Sequence, residues 1–174
     1  MLLERTKLAV DIAVILDLGR GCSYFARSPV ARDRVEMKPT VVIVEDHPGC
    51  MKDLTDMIAN DYEVVAVATD GKRGLAAALR CRPDIVILDI SLPQLDGISA
   101  AREMRRNGLS SKILFLTVHE ELEFKEGAFR AGADGYVFKT HMASDILLAL
   151  REVFAGRTFL SHPNRSWSKL KPHC

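Results

Sequence analysis

Five polar residues each stand directly after a short apolar run of this sequence: Glu45, Asp46, Asp89, Thr117 and Lys139. If the runs are parallel strands of one sheet, their carboxyl ends meet at one edge, and the five side chains converge there. Three of these groups are carboxylates, which repel one another and raise each other's pKa unless a divalent cation holds them together. The set therefore predicts a Mg²⁺ site.

The ligands of such a site would come from several loops. Mg²⁺ prefers an octahedral array of oxygen atoms and keeps several waters, so carboxylates, a backbone carbonyl and incoming phosphoryl oxygens form a suitable shell. Ser91 is placed to lend the backbone carbonyl. We expect Asp46 to ligate more directly than Glu45, because only some of these oxygens need to bind the metal. The alternative for Glu45 is a merely solvated carboxylate.

The same residues predict covalent chemistry. Once the cation neutralises the cluster, one carboxylate can act as a nucleophile toward a phosphoryl group, and the Lys139 ammonium can stabilise charge on its equatorial oxygens. The Thr117 hydroxyl can donate to a phosphoryl oxygen, which would couple phosphorylation to movement of the loop that carries Thr117. The pattern therefore indicates a phosphorylation switch.

The elements that would position these residues alternate from Pro39 onward. Nearly continuous apolar runs, most of them β-branched, predict five strands buried on both faces, at residues 41–44, 64–68, 85–88, 113–116 and 136–138. Segments of helical spacing, or segments delimited by turn residues, predict five helices around 51–58, 71–81, 97–107, 124–131 and 146–153. Asp96 is expected to cap the helix that begins at Gly97. We therefore expect a flavodoxin-like, doubly wound α/β fold, (βα)5, with a five-stranded parallel sheet and helices on both faces.

Four stretches resemble the signature of response-regulator receiver domains: VVIVED (41–46), ILDISLPQLDG (87–97), ILFLT (113–117) and GADGYVFK (132–139). Each is weak alone, but all four follow successive predicted strands in order, which is a specific signal. The match covers residues 40–160. One departure is Thr140, which stands where many receivers have proline.

The resemblance implies a role for each site residue. Asp89 would be the phosphoacceptor, Glu45 and Asp46 the acidic metal pair, Thr117 the hydroxyl switch and Lys139 the phosphate-pairing lysine. Tyr136 matches the aromatic switch position, where its hydroxyl favours a half-exposed side chain. His47 and His119 flank the site without a partner at metal-ligand spacing, so we expect them to be loop residues that modulate dephosphorylation.

The resemblance also implies partners. A sensor histidine kinase or a phosphotransfer protein would donate the phosphoryl group to Asp89, and the changed conformation would alter partner binding in a phosphorelay. Homodimerisation is a family-level expectation. The alternative is an interaction or dimerisation module that works without phosphorylation, or a phosphate sink derived from a truncated DNA-binding regulator. We do not expect an enzyme, because an aspartyl phosphatase would usually show a second acid at the position of Ser91, and the acidic segment after the first strand would repel the phosphate of a flavin.

Composition bounds the remaining possibilities. With 24 Lys plus Arg against 23 Asp plus Glu, the chain lacks the global charge that favours nucleic acid. The N-terminal apolar stretch at residues 8–18 is too short to span a membrane, so we expect no membrane partner. Four scattered cysteines without a C-x-x-C pair indicate neither a zinc site nor a disulfide framework, which favours the cytoplasm.

Three segments are expected along the chain. Residues 1–38 form a poorly defined N-terminal extension, in which Ala9, Ile12, Ala13 and Leu16 could make a short amphipathic helix. Residues 39–160 form the receiver domain. Residues 151–161 resemble the last helix and exit of regulators that carry a C-terminal helix-turn-helix, but the tail at 161–174 has no room for three helices. We therefore expect no output domain and no direct nucleic-acid binding.

Overall fold

The computed structural model describes residues 38–162, so the predictions for the N-terminal extension and for nearly all of the C-terminal tail lie outside the described residues. The strands are β1 (Thr40–Val44), β2 (Glu63–Ala68), β3 (Ile85–Leu88), β4 (Lys112–Thr117), β5 (Gly135–Phe138) and β6 (Phe159–Leu160). The helices are α1 (Pro48–Ile58), α2 (Gly71–Cys81), α3 (Gly97–Arg106), α4 (Leu122–Arg130) and α5 (Met142–Phe154), with a 3-10 turn at Lys139–His141. All ten predicted elements are confirmed.

The strands form one parallel sheet in the order β2-β1-β3-β4-β5-β6. The doubly wound α/β prediction is confirmed, but the predicted count of five strands is wrong. The sixth strand has only two residues, and Phe159 pairs with Gly135 at the free edge of β5. So short a strand has no periodicity of its own, because it depends on the neighbouring edge for its hydrogen bonds.

The core has two layers, one on each face of the sheet. In the central strands successive residues point to opposite faces, so Val41 and Ile43 pack toward α1 and α5, whereas Val42 and Val44 pack toward α2 and α3. This two-sided burial explains the nearly continuous apolar sequence of the central strands.

Strand β2 differs from that prediction because it lies at the edge of the sheet. Its Val65 and Val67 side chains are 37% and 55% exposed, so this strand is not buried on both faces. Its apolar residues nevertheless complete the pairing of β1, from Thr40 opposite Glu63 to Val44 opposite Ala68. The sequence run predicts the strand correctly but not its position in the sheet.

Helices α2 and α3 both begin at an Asp-Gly pair that packs against the loop after β3. The Asp70 and Asp96 side chains cap these helices by accepting hydrogen bonds from backbone N–H groups three residues on, as predicted for Asp96. A Cβ atom at Gly97 would lie 1.9 Å from the backbone oxygen of Asp89, where no side-chain carbon fits. Glycine at this position therefore lets the helix approach the backbone of Asp89.

Substitution of this glycine tests the close approach. We expect Gly97→Ala to lower the free energy of unfolding by about 3 kcal/mol or more. The new methyl group would overlap the backbone oxygen of Asp89, so the start of α3 would have to move away from that backbone. Gly127→Ala is the matched control, since a Cβ there meets only the flexible end of Ile98 at 3.3 Å. Gly127 lies inside α4, where alanine is a better helix former than glycine. Urea denaturation of both variants measures the difference. Equal effects of the two substitutions would contradict this account of Gly97.

Candidate functional site

The backbone brings the ends of β1 and β3 together at the carboxyl edge of the sheet. The N–H of Asp89 donates to the carbonyl of Val44 at 3.0 Å, and the N–H of Glu45 donates to the carbonyl of Ala68 at the same distance. Both residues thus extend the sheet pairing by one position beyond the strands. The carboxyl groups of Glu45 and Asp89 are therefore held by the sheet and not by free loops.

The three predicted carboxylates form one cluster. Glu45, Asp46 and Asp89 each offer an oxygen atom, and these three atoms lie within 4.8 Å of one another. Glu45 and Asp89 are buried, with 2% and 4% of their surface exposed, whereas Asp46 is exposed. Oxygen donors of this kind at this spacing are what a hard divalent cation such as Mg²⁺ prefers.

Lys139 supplies the opposing charge. Its Nζ atom lies 2.7 Å from Asp89 Oδ2 and 2.7 Å from Glu45 Oε2. Burial alone lowers the pKa of the Lys139 ammonium, but the hydrogen bonds to Asp89 and Glu45 and their negative charges raise it more, so the net pKa lies above its ordinary value. The ammonium is therefore charged at neutral pH.

Glu45 is not the solvated carboxylate of the alternative interpretation. It is buried, both its oxygens lie within 2.9 Å of Lys139 Nζ, and Oε1 also accepts a hydrogen bond from the N–H of His47 at 3.1 Å. His47 in turn caps α1, because its Nδ1 accepts from the N–H of Cys50. The ranking of Asp46 above Glu45 as metal ligand stays a prediction.

Asp89 has further hydrogen bonds on its other oxygen. Oδ1 accepts from the N–H of Ile90 at 2.6 Å and from the N–H of Ser91 at 3.3 Å. The predicted role of the Ser91 carbonyl as a metal ligand stays a prediction. The Ser91 hydroxyl lies 2.7 Å from His119 Nε2.

Thr117 and Tyr136 both contact the backbone of His119. Thr117, buried at the end of β4, accepts a hydrogen bond from the N–H of His119 at 3.3 Å. The Tyr136 hydroxyl donates to the carbonyl of His119 at 2.8 Å. Burial, together with the charges of Glu121 and Asp89, holds the pKa of Tyr136 above its ordinary value, so this hydroxyl keeps its proton. The expectation of a half-exposed Tyr136 is wrong, because the residue is fully buried and satisfies its hydroxyl within the protein.

Comparison with known proteins identifies this arrangement. A family model described as the response regulator receiver domain matches residues 41–151. The chain belongs to the response-regulator receiver family. The receiver match includes every site residue named above. Response regulator GacA of Pseudomonas syringae pv. syringae (strain B728a) is 34% identical over 123 residues, which are 70% of this chain and 58% of that protein. The nitrate/nitrite response regulator protein NarL of Escherichia coli (strain K12) is 32% identical over 70% of this chain and 57% of its own length.

Solved structures show the same fold. A LuxR-family two-component response regulator from Aurantimonas sp. SI85-9A1 has a TM-score of 0.68 and 33% identity, covering 71% of this receiver chain and 90% of that chain. A signal receiver domain from Mycobacterium tuberculosis has a TM-score of 0.67 and 28% identity, covering 70% and 99%. The receiver chain spans a little under three fifths of the length of the curated relatives named above. Across residues 38–162, no helix combines the length and apolar character that a membrane span needs.

The predicted role of His119, as a loop residue that modulates dephosphorylation, stays a prediction. The sequence did not predict its contacts, which come from the loop after β3 and from strands β4 and β5. The one available signal was its place two residues after Thr117. That spacing shows proximity to the site but not the partner of the ring, because Ser91 lies 28 positions away along the chain.

Removal of the Lys139 charge should destabilise the receiver. We expect Lys139→Met to lower the free energy of unfolding at pH 7 by about 3 kcal/mol, because it leaves two buried carboxylates without a cation. Since the folded pKa of Lys139 is raised, its stabilisation is fully present below the unfolded pKa and is lost as pH rises through the folded value. The difference between wild type and variant should therefore persist at pH 9 and shrink at still higher pH.

Urea denaturation at several pH values in metal-free buffer measures this difference. Lys52→Met is the matched control, because Lys52 pairs with Asp56 on the exposed surface of α1. An exposed pair contributes at most about 1 kcal/mol. Equal destabilisation by the two substitutions would show that the buried ion pairs of Lys139 stabilise the fold no more than the exposed Lys52–Asp56 pair does.

Proposed function

We propose that this receiver accepts a phosphoryl group on Asp89 from the phosphohistidine of a sensor histidine kinase or phosphotransfer protein, with Mg²⁺, and changes its partner binding in response. The observation that carries the proposal is the position of the Lys139 ammonium, 2.7 Å from Asp89 Oδ2, beside the cluster of three carboxylates. An oxygen nucleophile, a fixed cation and a set of metal ligands are the components that phosphoryl transfer to a carboxylate needs.

In the proposed step a carboxylate oxygen of Asp89 forms a bond to phosphorus. The phosphorus–nitrogen bond of the donor breaks, and its electron pair stays on the donor imidazole. Lys139 faces the acceptor and would balance the new charge, which is about −1.5 to −2 on a phosphorylated side chain at neutral pH. The receiver is the acceptor of the group and not an enzyme that acts on a separate substrate.

Mg²⁺ would be held by Asp46, Glu45 and Asp89, with the Ser91 backbone carbonyl as a further ligand. When bound, the ion supplies positive charge that offsets the repulsion among the carboxylates and the phosphoryl oxygens. Glu45 and Asp89 both pair with Lys139, and each also offers an oxygen atom to the acidic cluster. The donor set therefore fits the ion.

We propose that the donor approaches through a depression beside Lys139. It is open to solvent and is lined by His47, Gly49, Cys50, Asp53, Val118, Lys139 and Met142. Burial and the nearby Glu45 raise the pKa of the Cys50 thiol to about 11, so Cys50 is protonated at neutral pH and does not compete as a nucleophile. These walls come from α1 and the loops after β4 and β5, which we propose as the surface that contacts the donor.

The switch would begin at Thr117. Its hydroxyl would donate to a phosphoryl oxygen on Asp89, which draws the loop after β4 toward the site and changes the environment of Tyr136. The contacts that support this are the two hydrogen bonds of His119, one to Thr117 and one from Tyr136. A coupling of about 1–3 kcal/mol is enough to change partner affinity several-fold.

Mass spectrometry after incubation with acetyl phosphate and Mg²⁺ tests the acceptor. We expect one labile phosphoryl group on the wild type and none on Asp89→Asn. Asp53→Asn is the matched control, since Asp53 lines the same depression but lies outside the carboxylate cluster, and it should be labelled like the wild type. If the wild type gains no phosphoryl group, or if Asp89→Asn gains it equally, the interaction module that works without phosphorylation becomes the better account.

Thermal unfolding with and without Mg²⁺ tests the metal site. A ligand that binds only the folded state stabilises it, by about 1–3 kcal/mol at tens to hundreds of times its dissociation constant. We expect this stabilisation in the wild type and in Asp53→Asn, and its loss in Asp46→Asn. Removal of the ion with a chelator should reverse it. Equal stabilisation of Asp46→Asn would exclude Asp46 as a ligand.

A further inference from the structure

The imidazole ring of His119 connects the loop after β3 to the loop after β4. Its Nε2 atom lies 2.7 Å from the hydroxyl oxygen of Ser91. The ring also stacks on Phe124 of α4, with ring centroids 4.0 Å apart and planes inclined by 23°. Its Nδ1 atom lies 3.7 Å from a carboxylate oxygen of Glu121. His119 is therefore held by a hydrogen bond at one edge of its ring and by stacking on one face.

The backbone of His119 is held as well. Its N–H donates to Thr117 and its carbonyl accepts from Tyr136, as described above. Two of its partners, Ser91 and Thr117, belong to segments that flank the acceptor. The backbone N–H of Ser91 lies 3.3 Å from Asp89 Oδ1. A change at Asp89 therefore reaches His119 from two directions.

The loop after β3, which carries Ser91, is fastened to the rest of the domain by backbone hydrogen bonds. The N–H of Gly97 donates to the carbonyl of Ile90 at 2.9 Å, and the N–H of Gly71 donates to the carbonyl of Pro93 at 3.3 Å. These bonds fasten the loop that carries Ser91 to the starts of α3 and α2. A displacement of Thr117 toward Asp89 moves His119 relative to Ser91, and a hydrogen bond of 2.7 Å does not survive a shift of an ångström or more.

We propose that His119 is a positioning residue whose hydrogen bond to Ser91 holds the segment 118–121 in the resting arrangement and is broken when the receiver is phosphorylated. We call this bond the His119 latch. The inference rests on the proposed function, because the proposed movement of Thr117 is what breaks the latch. It adds a restraint that phosphorylation must overcome, outside the acidic cluster, Lys139 and Thr117 themselves.

The latch also affects the position of two exposed apolar side chains, those of Val118 and Leu122. Val118 and Leu122 lie on either side of residues 119–121 and are 61% and 67% exposed, more than the other large apolar side chains in residues 38–162. Their placement depends on His119, because its ring contacts both the loop and α4. Breaking the latch therefore changes how these two apolar side chains are presented.

Amide hydrogen exchange of the unphosphorylated protein tests the latch without any phosphoryl chemistry. We expect Ser91→Ala to speed exchange of the amides of residues 118–123 about threefold to tenfold, because one hydrogen bond that closes this segment is lost. Ser110→Ala is the matched control, an exposed serine before β4 at the opposite edge of the sheet. Unchanged exchange of these amides in Ser91→Ala would overturn the proposal. Since His119→Ala also removes the stacking on Phe124, the test depends on Ser91→Ala.

Affinity for the phosphomimetic BeF₃⁻ in the presence of Mg²⁺, measured by titration calorimetry, tests the direction of the effect. A latch that stabilises only the resting state opposes the switch, so Ser91→Ala and His119→Ala should each bind BeF₃⁻ about threefold to tenfold more tightly than the wild type. The double variant should bind no more tightly than the single ones, since both remove one bond. His119→Gln, whose amide nitrogen can reach Ser91, should restore affinity toward the wild-type value.

The outcomes separate the latch from the proposed function. General damage to the fold would weaken binding of BeF₃⁻, so tighter binding is not explained by a structural role. Weaker binding by Ser91→Ala would show that the bond favours the switched state, and it would overturn the latch. A wild type that binds no BeF₃⁻ would contradict the proposed function, and the exchange experiment would still decide whether the bond holds the segment.

Discussion

Two buried carboxylates, Glu45 and Asp89, stand side by side at the end of the sheet, and the site depends on the Lys139 ammonium that pairs with both. Burying two carboxylates side by side costs free energy, because they lose their hydration and repel each other. Lys139 lies 2.7 Å from each of them and offsets both effects. It follows β5, whereas the carboxylates follow β1 and β3, so its side chain must extend past the end of β4. The long, flexible stem of lysine suits that span.

This strand order also explains the place of Thr117. Because β4 lies between β3 and β5, the residue at its end lies between the acceptor and the lysine in the order of the sheet. The backbone then continues to His119, whose N–H donates to Thr117 and whose carbonyl accepts from Tyr136. The loop after β4 is thus joined to Thr117 and Tyr136 by hydrogen bonds of half-buried groups, which are strong because little water competes for them.

Membership of the receiver family agrees with this site, and it limits what the relatives contribute. The matches to GacA and NarL cover about 70% of this chain but less than three fifths of those proteins. The similarity therefore supports the receiver as a module, and it identifies neither the proposed phosphoryl donor nor the proposed partner of this chain. The Ser91–His119 bond illustrates the point, since it depends on two side chains outside the set of acidic residues, lysine and hydroxyl that define the site.

Local pattern determined the alternation of strands and helices, the helix cap at Asp96 and the list of residues at the strand ends. These features depend on periodicity, turn chemistry and topology, all of which are written in short stretches of sequence. Tertiary structure alone decided that β2 is an exposed edge, that β6 exists, that Tyr136 is buried and that both oxygens of Glu45 face Lys139. The physical reason is distance along the chain: Lys139 lies 94 positions from Glu45, and Ser91 lies 28 from His119. Such contacts depend on the orientation of packed side chains, which no local pattern specifies.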